Sequence, residues 1–67
     1  MKTRTQIIEE KLDELLDLYV EMAVSAFEST KSVLLYGEED EDANEATNDI
    51  TREIYGVMME IMLENMK

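Results

Sequence analysis

The 67-residue sequence has no cysteine, histidine, proline or tryptophan, and only two glycines. Without cysteine there is no disulfide, and without cysteine or histidine there is no structural zinc site and no Glu-x-x-His di-iron motif. A chain this short hides only about 60% of the surface its unfolded form exposes, so its own core is marginal. Of the usual staples for a small scaffold, oligomerisation or docking on a partner is the one left.

Basic residues are also scarce. Six lysines and arginines face 17 aspartates and glutamates, a net charge of −11, which argues against nucleic acid or an anionic membrane as a direct ligand and points to basic surfaces instead. No apolar run approaches the roughly 18 residues of a membrane span. Met1-Lys2-Thr3-Arg4 leads into Gln6 and Glu9-Glu10 rather than into a signal-peptide stretch, so the expectation is an unprocessed, cytoplasmic chain. At 45% hydrophobic residues the charge sits on a folded object, not on a disordered tail.

With no proline, Tyr36-Gly37-Glu38-Glu39-Asp40-Glu41-Asp42 is the one evident break. The expected organisation is a single all-α domain over 1–67: helix 1 over about 4–36, an acidic loop over 37–42, and helix 2 over about 43–66. Thr3-Arg4-Thr5-Gln6 has the form of a capping box, and Gly37 suits the left-handed residue that closes a helix. Asp42, with Glu45 three residues on, reads as the cap of helix 2. A competing reading breaks helix 1 at Ser29-Thr30-Lys31-Ser32, where weaker helix formers cluster, and packs three shorter helices.

In helix 1, Ile8, Leu12, Leu15, Tyr19, Met22, Ala26, Ser29, Val33 and Tyr36 alternate steps of four and three, the period of a heptad seam. Leu16, Val20, Ala23, Phe27 and Leu34 form a second row that widens the stripe to that of a bundle helix. Helix 2 keeps helical spacing through Ala43, Ala46, Ile50, Ile54, Val57, Met58, Ile61, Met62 and Met66, interrupted only by Gly56. Gly56 falls roughly opposite Ala23 and Ala26 if the helices fold back, so either the helices approach closely there or the glycine is simply tolerated. Helix 1 would span about 50 Å and helix 2 about 36 Å, leaving Ile7 and Ile8 as an overhang for a second protomer to cover. The expected architecture is a two-helix antiparallel hairpin that dimerises into a four-helix bundle.

The acidic row Glu9, Asp13, Asp17 and Glu21 repeats every four residues and sets like charges on one helix face. It reads either as a negative stripe that docks in a basic groove, imitating a nucleic-acid backbone, or as a solvated face that keeps the protein soluble. Met58, Met62 and Met66 share a face of helix 2, with Met59, Leu63 and Tyr55 beside it, and serve as core filler or as an adaptable docking patch. Together with Ile8, Leu12, Leu15, Tyr19 and Met22 they are the candidate oligomer or partner interface.

Glu38 to Asp42 lacks the spacing of an EF-hand. Glu45/Asp49, Asp49/Glu53 and Glu60/Glu64 put carboxylate pairs on one face of helix 2, but no metal site or cofactor is expected, and no nucleophile stands beside a base. Glu10-x-x-Asp13 and Glu14-x-x-Asp17 are similar in local form to the paired motifs of helical pyrophosphatases, although helix 2 carries no matching motif. Leu34 to Ile54, a Leu-Leu-Tyr-Gly turn into a helix with Asp49-x-x-x-Glu53, resembles the hairpin of PhoU-like helical domains over about a third of the chain. Here the expected alanine is one position out of register with Asp49, and the full three-helix unit does not fit.

The functional expectation is a non-catalytic protein-interaction module. It would be a homodimer that regulates or inhibits a larger partner, a basic protein among them, in the manner of small acidic phage or mobile-element antagonists. The alternatives are a structural self-assembling oligomer and a carboxylate-based metal binder.

Overall fold

The computed structural model describes Met1 to Lys67 in full and consists of two helices, α1 (Arg4–Tyr36) and α2 (Glu41–Asn65), folded back on one another as an antiparallel hairpin. Local chemistry fixes the helix ends. The Thr3 hydroxyl accepts from the Gln6 amide at 3.2 Å while the Gln6 side-chain oxygen accepts from the Thr3 amide at 2.9 Å, a complete capping box. At the other end Gly37 takes φ 68°, and its amide donates to the Val33 carbonyl at 2.9 Å. α1 is continuous through Ser29-Thr30-Lys31-Ser32, so the three-helix alternative does not form. The Thr30 hydroxyl donates to the Ala26 carbonyl at 3.0 Å and so stays within the helix.

The start of α2 differs from the expectation. Asp40, not Asp42, caps it, with its carboxylate accepting from the Ala43 amide at 3.0 Å; Glu41 and Asp42 lie in the first turn, where acids complement the helix dipole. The connection is therefore only 37–40. This short loop folds down beside α1, where the Ser32 hydroxyl donates to the Glu38 carbonyl at 3.1 Å and the Ser29 hydroxyl bonds to the Asn44 side chain. α2 thus begins about a turn below the end of α1.

That descent moves the overhang. The excess length of α1 lies at the loop end, where Val33, Leu34, Leu35 and Tyr36 are exposed. The N-terminal end of α1 is instead matched by the end of α2: the Arg4 guanidinium donates to the Lys67 carbonyl, Lys11 pairs with Glu60, and Ile7 and Ile8 are half-buried. The hairpin is a rod of 52 × 15 × 13 Å.

Its core is thin. Only Ile54 and Val57 are buried, at 4% and 6% exposure. Gly56 does not sit at a close helix approach: a methyl group in place of its hydrogen would meet nothing within 4 Å.

Candidate interaction surface

Apart from Ile7, the half-buried residues of α1 are Ile8, Lys11, Leu15, Leu18, Met22, Ser25, Ser29 and Ser32, an unbroken heptad row. The matching row of α2 is Ala43, Thr47, Ile50, Ile54, Val57, Ile61 and Glu64. The expected seam of α1 is therefore split. Ile8, Leu15, Met22 and Ser29 lie in the contact, whereas Leu12, Tyr19, Ala26 and Val33 stay exposed on its flank. Lys11, Leu18, Ser25 and Ser32, absent from the expected row, take their place. On α2, Met58, Met62 and Met66 are exposed and the aliphatic residues do the packing.

Each helix also carries a second row of heptad spacing, exposed except at Asn44 and Thr51, which are half-buried and bond to Ser29 and to the Met22 sulfur. On α1 it is Leu12, Leu16, Tyr19, Ala23, Ala26, Thr30 and Val33; on α2 it is Asn44, Asn48, Thr51, Tyr55, Met58, Met62 and Asn65. Both rows lie on the same side of the hairpin. Tyr19 and Met22 share one concavity of about 220 Å³ with Thr51, Ile54, Tyr55 and Met58, and Ala26 and Thr30 share another of about 430 Å³ with Asn44, Thr47 and Asn48. Neither row contains a charged residue, although a third of the chain is charged. The half nearer the chain ends is bulky and apolar, with Leu16 and Tyr55 each 62% exposed. The half nearer the loop is hollow and lined by small and amide side chains.

Charge is displaced to the other surfaces. The Lys11 ammonium lies 2.7 Å from Glu60, and that hydrogen bond, aided by Glu14 and Glu64, raises its pKa above the ordinary 10.5 of a lysine despite a smaller opposing desolvation. Lys2 pairs with Glu10, Lys31 with Glu28, Arg52 with Asp49 and Lys67 with Glu64. With Arg4 on a backbone carbonyl, every basic side chain is engaged, and none pairs with Glu9, Asp13, Asp17 or Glu21. These four are exposed, and because a four-residue step advances about 40° around a helix of 3.6 residues per turn, they wind from the outer edge of α1 toward its polar side. No three acidic side chains converge closely enough to hold a metal ion. Neither helix is long and apolar enough to cross a membrane.

What the arrangement defines is a two-helix hairpin with one charge-free face and an acidic remainder. No family model matches the chain, and no curated protein or solved structure does either.

Proposed function

We propose that the chain is a non-catalytic protein-interaction module that docks through its charge-free face and presents its acids outward. The observation that supports this is the pair of uncharged heptad rows, which leave Leu12, Leu16, Tyr19, Tyr55, Met58 and Met62 exposed beside a core of two buried residues. Contiguous exposed apolar surface rimmed by polar residues is the ordinary signature of a protein interface. The acids of Glu9, Asp13, Asp17 and Glu21 then stay clear of the centre of that face, and from there they steer a basic protein to the module and contribute to association rate more than to affinity. Regulation or inhibition of that partner follows from occupying its surface.

The test is retention of protein on the immobilised chain, wild type against Ala23→Glu and against the row neutralised to amides, at low and high salt. Loss of retention with Ala23→Glu, which puts a charge at the middle of the face, is the expected result. Equal retention by all variants would sink the reading.

A further inference from the structure

We infer that the occupant of the charge-free face is a second copy of this chain, docked antiparallel to form a four-helix bundle; this rests on the interaction reading above. In a four-helix bundle each helix contacts two neighbours and so needs two adjacent seams of heptad spacing. Both helices have two. The rows through Leu18 and Ile54 are spent within the hairpin, and the rows through Tyr19 and Met58 are free on one side of it. A hairpin evolved to lie flat on an unrelated globular surface has no need to keep an uncharged second row in heptad register from Leu12 to Val33 and from Asn44 to Asn65.

Charge selects a second copy over a basic protein as the occupant. A basic surface would be matched by carboxylates within the face, and there are none among its 14 row positions, from Leu12 to Val33 and from Asn44 to Asn65. For a chain of net charge −11, self-docking is unfavourable wherever acids meet, and on this side they are confined to the row ends, at Glu9 and Glu41. The size is also sufficient. The projected outline of a 52 × 15 Å face equals the roughly 800 Å² per partner of a standard interface.

Polarity along the rod selects the antiparallel arrangement. The loop end carries Glu38, Glu39, Asp40, Glu41 and Asp42, while at the opposite end Lys2, Arg4, Lys11 and Lys67 accompany Glu9, Glu10, Glu60 and Glu64 and balance them. Parallel docking would set two acidic loops side by side; antiparallel docking sets each against the charge-balanced end of the other copy. It also lays the bulky half, with Tyr19, Tyr55 and Met58, over the hollow lined by Ala26, Thr30, Asn44 and Asn48. The tyrosine hydroxyls then meet amide and hydroxyl partners.

The experiment uses the full chain with Glu39→Cys, the only thiol, carrying a spin label in the loop. Sedimentation equilibrium should give twice the chain mass, and the dipolar distance between the two labels should be near the 52 Å length of the rod. A dimer with loops closer than roughly 20 Å, as adjacent helices 8–10 Å apart require, would overturn the antiparallel arrangement. A folded wild-type monomer at high micromolar concentration would overturn the dimer altogether. That outcome leaves the interaction reading standing, since it is decided separately by whether Ala23→Glu abolishes retention of other proteins. Loss of the dimer in Ala23→Glu, whether as a folded monomer or as an unfolded chain, supports the assembly, because Ala23 is exposed in the hairpin and a glutamate there disturbs no contact within it.

Discussion

The Lys11 ammonium lies 2.7 Å from the Glu60 carboxylate, joining α1 to α2 between residues 49 positions apart in the chain. Lys11 belongs to the row of α1 that faces α2, between Ile8 and Leu15, so its methylene stem lies along the seam while its charge leaves it. Because the pKa of Lys11 is raised on folding, its contribution to stability is complete below the ordinary 10.5 and is lost as pH climbs through the higher folded value. The denaturant midpoint of the wild type should therefore fall more steeply above pH 10.5 than that of Lys11→Met. Parallel curves for the two proteins would remove the linkage, and the shared tyrosines cancel in the comparison.

The two glycines should respond oppositely to alanine. At Gly56 there is open space and ordinary helical backbone, so Gly56→Ala should stabilise by about 1 kcal/mol through helix propensity. At Gly37 the backbone sits at φ 68°, and Gly37→Ala should destabilise by about 1–2 kcal/mol. Chemical denaturation measures both, and a destabilised Gly56→Ala would mean that a neighbour packs against that side of α2.

Asp40 and Asp42 are two residues apart in an acidic run, but only Asp40 accepts from the Ala43 amide. Asp40→Ala should cost about 1 kcal/mol, and Asp42→Ala only a few tenths from the helix dipole. Comparable losses at the two positions would relocate the cap.

Replacing Asp13, Asp17 and Glu21 by their amides relieves like charges that no basic side chain offsets. The melting temperature should rise by on the order of 2–4 °C at low salt and by little at about 1 M salt, where the Debye length is about 3 Å. A fall in melting temperature would show that these carboxylates hold a contact within the fold.

The ends of α1 were legible in the sequence because they are decided within a few residues, by Thr3 with Gln6 and by Gly37, whereas local propensity left its continuity through Ser29-Thr30-Lys31-Ser32 open. Nor was the choice of facing row legible. Ile8, Leu15, Met22 and Ser29 belong to two overlapping heptads, and hydrophobicity favours the one completed by Leu12, Tyr19, Ala26 and Val33. The hairpin uses the more polar one, completed by Lys11, Leu18, Ser25 and Ser32, and leaves the more apolar one outside. Periodicity gives the phase of a stripe, not which edge of a wide stripe meets which neighbour. The cap of α2 failed for a related reason, since Asp40 and Asp42 are both competent by local rules and the descent of the chain beside Ser32 decides between them.

The hairpin contact is graded along its length. Leu15, Leu18 and Met22 meet Ile54 and Val57 toward the middle, whereas toward the loop the facing side chains are Ser25, Ser29 and Ser32 against Asn44 and Thr47. The Thr47 hydroxyl is turned back onto the Ala43 carbonyl at 2.8 Å and adds nothing across the gap. Amide hydrogens should therefore exchange with solvent fastest near residues 33–44 and slowest around Ile54 and Val57, so that the two helices unzip from the turn toward the chain termini rather than separating all at once.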